Sequence, residues 1–311
     1  MTGLAEVFSL GKFAVTAEAG PPKGTNVQQM LEHAHLLKGR VHAVNVTDNQ
    51  SSVMRMGSLA ASHLLIEAGL EPVFQMTCRD RNRLAIQSDL LSAHVLGIRN
   101  VLALTGDYIS VGDHPQAKPV FDLESVQLLQ VIARLNSGYD CATVSAGKPT
   151  TTGIQLDGAT EFFPGAVVAP EAEPLEPQLI KFEKKVNAGA KFFQTQAIYN
   201  MDKFAKFMET ARQFDVKIMA GILLLKSAGM ANYLNKFVPG IQVPDDLIAE
   251  LNAAKERAQD DKKLAAKYQM EAGISIAGRQ IRRMKDLCHG AHVMAIGAED
   301  RVPAILDEAG L

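Results

Sequence analysis

Three polar side chains sit where the surrounding sequence would otherwise be apolar. Glu18 interrupts the small, apolar run AVTAEAG. Desolvation in such a run favours a protonated carboxyl, which suits a general acid working near neutral pH. The plain alternative is a glutamate salt-bridged to a neighbouring loop lysine. Asp107 follows Thr105-Gly106 at the end of a second apolar run, where a glycine lets a ligand approach the backbone. Taken alone it reads as an Asx-turn or helix cap; sharing one rim with Glu18 turns the reading toward function. Gln196, in FFQTQAIY, is a strand glutamine, unfavourable facing inward unless a protein group or a ligand bonds its amide. Lys226 follows a further apolar run and reads as either a Schiff-base lysine or a solvated loop lysine. The sequence has no GxSxG, Walker loop or HExxH, so nucleophilic, nucleotide-hydrolysing and zinc-protease chemistries lose their usual signatures.

The elements that must position these residues are short β-rich runs: Phe13–Ala19, Ala43–Asp48, Pro72–Cys78, Asn100–Gly106, Phe162–Ala169, Phe192–Tyr199, Lys217–Leu225 and Ala291–Gly297. Each is apolar through most of its length, as a strand covered on both faces should be. Between them lie segments of helical period, such as Val27–Leu37, Arg83–Leu96, Ser125–Leu135 and Met201–Phe214. A parallel return needs a crossover, and eight alternating units predict an α/β fold, a single (β/α)8 TIM barrel over residues 1–311. A doubly wound sheet also alternates, but eight units within one domain length favour the barrel.

Three stretches exceed the minimal repeat. Tyr108–Pro119 is rich in Gly and Pro and follows the fourth strand; residues 136–161 form a Ser/Gly/Thr-rich inserted loop, too long for an ordinary connection; residues 243–285 read as a charged helical extension. Barrel chemistry lies at the carboxyl ends of the strands. Those ends carry Glu18, Thr47-Asp48-Asn49, Gln75 and Thr77, Thr105-Gly106-Asp107, Gln194-Thr195-Gln196 and, near the last, Glu299.

Composition narrows the classes. Hydrophobic residues make up 47% of 311, enough for a sizeable core and against disorder. With 32 basic and 34 acidic residues, no basic stripe predicts nucleic-acid binding. Cys78, Cys141 and Cys288 are widely spaced and read as reduced thiols rather than a disulfide or metal framework. No signal peptide and no membrane span are expected, and a cytoplasmic location is.

The strand-end motifs occur in an order that resembles the methylenetetrahydrofolate reductase family from Phe13 to Leu311. They are TAEAGPPKG, NVTDNQSS, QMTCRDRN, LALTGD, FDLESVQLL, FFPGAVVAP, KFEKKVNAGAKFFQTQ and AGILLL. The form FFPGAVVAP resembles the longer-loop branch, that of bifunctional and acetogen-type proteins. The resemblance implies an oxidoreductase of one-carbon metabolism, with a noncovalent flavin (FAD or FMN) across the barrel mouth and hydride transfer from its N5 to 5,10-methylenetetrahydrofolate. Glu18 matches the acid that drives opening to a 5-iminium cation, Asp107 the carboxylate that holds the pterin and stabilises that cation, and Gln196 the pterin-binding glutamine. Flavin contacts carry over to Thr47, Gln75, Thr105, Gly106, Asp107, Phe121, Asp122, Gly165, Ala166, Lys181 and Lys185, the two lysines facing flavin phosphate. Met230 and Leu234 stand where an aromatic would stack nicotinamide. That departure opens two electron sources, NAD(P)H or a partner subunit in a heteromeric complex, with Tyr108–Pro119 and residues 136–161 as docking loops. The competing readings are a folate-barrel methyltransferase without flavin, a non-catalytic subunit of a larger reductase, and an aldolase-type barrel using Lys226.

Overall fold

The computed structural model describes residues 3–238 and 240–311. Eight strands close into a parallel barrel: β1 (Ala14–Ala19), β2 (Ala43–Val46), β3 (Pro72–Thr77), β4 (Asn100–Leu104), β5 (Phe163–Val168), β6 (Phe192–Ala197), β7 (Lys217–Leu223) and β8 (Gly290–Met294). All eight predicted strands are present, each within a few residues of its expected bounds, and β8 pairs β1 to complete the cylinder. Helices α2 (Gln28–Leu37), α3 (Ser58–Glu67), α4 (Arg83–Val95), α5 (Ser125–Asn136), α6 (Glu176–Asn187), α7 (Met201–Ala211) and α8 (Ala228–Phe237) follow the first seven strands. Their starts are chemically marked: Asn82, Asn200 and Ser227 cap α4, α7 and α8 with side-chain oxygens, and Glu124 with Gln127 forms a capping box on α5.

Residues 136–161 hold a small antiparallel hairpin, Val144–Ser145 with Lys148–Pro149. The 243–285 stretch contains α9 (Asp245–Glu256) and α10 (Lys262–Met284). Helix α10 packs on α9, on β7 and on the final helix α11 (Val302–Ala309). Among the described residues no helix is long and apolar enough to cross a membrane.

Strand alternation divides the barrel interior into tiers. At the amino end, α1 (Leu4–Ser9), a helix outside the predicted repeat, drives Leu4, Val7 and Phe8 against Ala14, Ala43, Val73, Leu102, Phe192 and Met219. Phe163 and Phe192 stack there at 5.4 Å. Glu71 ties this plug down, taking the Leu4 N–H at 2.9 Å and the Asn100 amide at 2.6 Å. The next tier up is polar and dry: Thr16, Asn45, Gln194 and His292 are each at most 4% exposed. One end of the cylinder is thus closed, and only the carboxyl end is left to open.

Candidate active site

The buried polar tier is a single hydrogen-bonded chain. Asn45 and Gln194 exchange amide bonds of 2.7 and 2.9 Å. The Gln194 amide also donates to Thr16 Oγ1 at 3.2 Å, and Thr16 Oγ1 lies 2.9 Å from His292 Nδ1. A threonine hydroxyl that accepts from Gln194 can donate its own proton to His292 Nδ1, an arrangement in which the ring proton is on Nε2. That nitrogen faces Glu18, with Oε1 3.5 Å away. Glu18, 9% exposed, is oriented by a strand-borne histidine and not by the loop lysine considered from the sequence. A single polar residue inside the apolar run GAHVMAIG is the signal that would have found His292.

Above this tier a cavity of about 530 Å³ opens at the carboxyl ends of the strands, within the range usual for small-molecule and cofactor sites. Glu18, Asp107 and Gln196 all line it, as do Gln75, Thr105, Gly106, Lys181 and Lys185. Gln196 is an exposed rim residue, so the inward, protein-bonded glutamine expected at this strand is Gln194. The two amides lie two residues apart on β6, where the register against β7 shifts between Gln194 and Ala197.

Other assignments shift. Thr47 is buried and lines a neighbouring cavity instead. Gly165 lies below the site, where a Cβ would meet the Phe192 ring, and Ala166 faces the helices in the core; the wall at β5 is Val167, Val168 and Ala169. Phe121 leans on Tyr108, ring centres 6.0 Å apart, and Asp122 is held by Arg83 through two guanidinium bonds and a backbone N–H, all 2.9 Å. Those Arg83 bonds lower the Asp122 carboxyl to about 2, and neither residue lines the cavity. Met230 and Leu234 pack in a cluster on α8 away from it, while α8 exposes Tyr233 and Phe237, rings 5.0 Å apart. Lys226 Nζ donates to the Ile296 carbonyl at 2.7 Å, which fixes it as a loop strut.

Arg79, from the motif QMTCRDRN, was not singled out by the sequence because it reads as one charge in a charged loop. It is 2% exposed. Its guanidinium reaches Asp80 at 2.7 and 2.9 Å, Ser52 Oγ at 3.1 Å and the carbonyls of Asn49 at 3.3 Å and Asp107 at 3.5 Å. One side chain thereby clamps the loops after β2, β3 and β4. It needs to, because Asn49, Ser51 and Ser52 all adopt positive φ, a strained state that persists only where surroundings enforce it. Asp48 is buried in the same layer, taking both Thr77 donors at 2.9 Å and the Arg81 guanidinium at 2.7 Å. At Gly106, φ is +95° and a Cβ would crowd Arg79 and Thr77 at 3.0 and 3.1 Å, so the turn before Asp107 requires glycine.

On the opposite wall, burial, with Lys181 beside it, pushes the Lys185 ammonium down to about 8. Lys185 donates to the Val167 carbonyl at 2.6 Å and has no carboxylate partner at ion-pair distance among the described residues. Lys181 reaches Glu124 at 3.6 Å in an exposed pair.

The model of the family described as "Methylenetetrahydrofolate reductase" matches residues 4–310. "Methylenetetrahydrofolate reductase 2" of Schizosaccharomyces pombe is 28% identical over 244 residues, 76% of this chain and 35% of that protein. The "5,10-methylenetetrahydrofolate reductase" of Pectobacterium carotovorum is 22% identical over 87% of this chain and 83% of its own. This chain spans about a third of the length of the first eukaryotic relatives it matches. Among solved structures, a Clostridium thermocellum protein described as binding two copies of 5-methyl-5,6,7,8-tetrahydrofolic acid superposes with a TM-score of 0.58 at 14% identity, covering 98% of this chain and 96% of its own. At that identity the likeness is one of fold.

Proposed function

The chain belongs to the methylenetetrahydrofolate reductase family, and on that premise we propose that it reduces 5,10-methylenetetrahydrofolate to 5-methyltetrahydrofolate with the help of a bound flavin. The observation that carries the reading is convergence: Glu18, Asp107 and Gln196, from three separate strand ends, line one cavity at the open end of the barrel. The wall suits an anionic cofactor. Lys185 has no carboxylate at ion-pair distance among the described residues, Lys181 stands beside it, and the Gly106 turn lines the same cavity. Bound there, a flavin supplies the hydride that converts the methylene carbon to a methyl group.

The chain's own residues do the rest. Glu18 gives a proton to N10 of the folate as the C–N10 bond opens, and His292 Nε2–H steadies the carboxylate left behind. Asp107 places a negative charge near the iminium cation that forms, stabilising it as it develops. Gln196, free at the rim, offers its amide to the pterin edge. Gln75, Thr105 and Gly106 with Lys181 and Lys185 hold the cofactor, whether FAD or FMN. Thr47, Phe121, Asp122, Gly165 and Ala166 take no direct part.

The same reading places the chain in the longer-loop branch, with residues 1–311 as one reductase domain, and assigns electron delivery to a partner subunit. Two features support the partner. No aromatic of α8 lines the cavity, and beside the cavity Tyr108, Val111 and Val120 expose large apolar side chains on the loop that carries Asp107. NAD(P)H-dependent flavin reduction by the purified single chain would refute it. The central test is the absorption spectrum of the purified protein, with mass analysis of the cofactor released by heat. Glu18→Gln should leave that spectrum intact and slow folate turnover by roughly two to four orders of magnitude, as loss of a general acid does. A colourless protein, or normal turnover by the variant, refutes the assignment.

A further inference from the structure

A second cavity, about 580 Å³, lies against the first. The two share Glu18 and Gln50 and no other lining residue. Glu18 therefore presents one flank to the site where substrate would sit and the other to a separate chamber. That chamber is walled by the Gly20–Pro22 turn, by α2, by the loop after β2 and by the turn after β8. Its charged lining groups are Glu18, His33, Arg55 and Glu299. His33 Nδ1 lies 3.0 Å from Glu299 Oε2, and the other Glu299 oxygen accepts the Gly297 N–H at 2.8 Å. Glu299 is 8% exposed, so its carboxylate is fixed. His33 Nε2 makes no hydrogen bond among the described residues and is free to exchange with water.

A general acid is spent each time it acts. When N10 takes the Glu18 proton together with the electron pair of the breaking C–N10 bond, the carboxylate must recover a proton before the next turnover. With the first cavity filled by a ring system and a pterin, water reaches a residue 9% exposed only from its other flank. We propose that the second cavity is the proton inlet of Glu18, with the His33–Glu299 pair as the group that takes a proton from bulk water and returns it to the carboxylate. The proposal rests on the assignment of Glu18 as acid made above. His33 and Glu299 touch neither substrate nor cofactor; they act through Glu18. In the oxidative direction the balance reverses: N10 gives up its proton to Glu18, and that proton leaves through His33 as the two electrons pass on to an acceptor.

The test uses the flavin-loaded protein oxidising 5-methyltetrahydrofolate with an artificial quinone as electron sink, which removes the unknown donor from the experiment. His33→Ala should slow steady-state turnover by roughly ten- to a hundredfold, less than the two to four orders of magnitude expected for loss of Glu18 itself, because water replaces the relay in part. Added imidazole should restore the rate by occupying the vacated chamber, and the solvent isotope effect should rise. In a single turnover followed with a pH indicator dye, proton release to bulk should lag behind flavin reduction in the variant and keep pace with it in the wild type. Glu299→Gln should show the same lag, more weakly. A His33→Ala protein that is merely less stable, with no proton lag and no imidazole rescue, would make the pair a strut between α2 and the β8 turn and overturn the inlet. Wild-type protein that does not oxidise the methylfolate at all overturns the assignment of Glu18 itself, and the inlet with it.

Discussion

The two ends of the barrel are built from the same eight strands and share almost no chemistry. At the amino end, α1 and a Phe8–Phe163–Phe192 cluster close the cylinder, and backbone donors are matched by half-buried side-chain acceptors. At the carboxyl end, charged and amide side chains stand in a cavity, and the loops around it carry positive φ at Asn49, Ser51, Ser52, Gly106 and Phe121. Between them the side chains of the Thr16–Gln194–Asn45–His292 tier bond to one another, and His292 faces Glu18 above. The difference teaches that stability and chemistry are stacked along one axis. A substitution should act on one or the other according to its tier, with the polar tier as the coupling layer.

The sharpest challenge to that division is Phe192→Ala. Removing a fully buried ring from the sealed end should lower unfolding stability by about 3–5 kcal/mol, read from urea midpoints, while the folded fraction keeps its cofactor spectrum and its folate kinetics. Glu18→Gln should behave in the opposite way. Loss of catalysis in folded Phe192→Ala protein would show that the two ends are not separable.

Acid should attack the sealed end first. His42 Nδ1 accepts the Val15 N–H at 2.9 Å, and His289 Nδ1 accepts the Ile218 N–H at 3.0 Å. The two sites repeat one device at the feet of β2 and β8. Burial pushes both imidazoles below their ordinary value of 6.5, and at His289 the nearby Lys217 and Arg212 add to it. The folded state thus binds these protons less readily than the unfolded chain. Their contribution to stability is complete above pH 6.5 and is lost as pH falls below it toward the folded values. Urea midpoints measured from pH 7.5 down to 5 should decline, and less steeply in a His42→Gln, His289→Gln double variant. An unchanged slope would remove these histidines from the account.

The smallest effect belongs to the open end. An anionic phosphate placed beside Lys185 should raise its pKa from about 8 and draw up a fraction of a proton when flavin binds near pH 8. Binding heats measured in buffers of different ionisation enthalpy would show it, and Lys185→Met should abolish it. Equal heats in every buffer would place the phosphate elsewhere.

Much of this was legible in the sequence, unevenly and for physical reasons. Glu18 and Asp107 stood out because a carboxylate inside an apolar run has few structural excuses. His292 carried the same mark in GAHVMAIG and was passed over because a lone histidine on an apolar strand is unremarkable. Gln194 and Gln196 are both polar residues of one strand, which unbroken period-two alternation would put on one face, but the register shifts between Gln194 and Ala197. Which is dry and bonded and which stands at the rim depends on the stagger between strands, since Gly165 pairs Phe192 and Asn45 pairs Glu18. The displacement of Gly165 and Ala166 below the site has the same origin. Arg79 was invisible because its four partners, Asn49, Ser52, Asp80 and Asp107, are spread over three different loops. Helix α1 was missed because six residues are too few to show a period.

The sequence by itself determined the alternation, the parallel barrel and the end at which polar groups gather, because burial on both faces makes every strand a continuous apolar run and each parallel return needs a crossover. The tertiary structure alone decided depth and partnership: which tier a side chain occupies, that Glu18 leans on His292 and borders two cavities, and that one arginine holds three loops. Those depend on the shear of the closed cylinder and on contacts between residues far apart in the chain, and no local spacing encodes them.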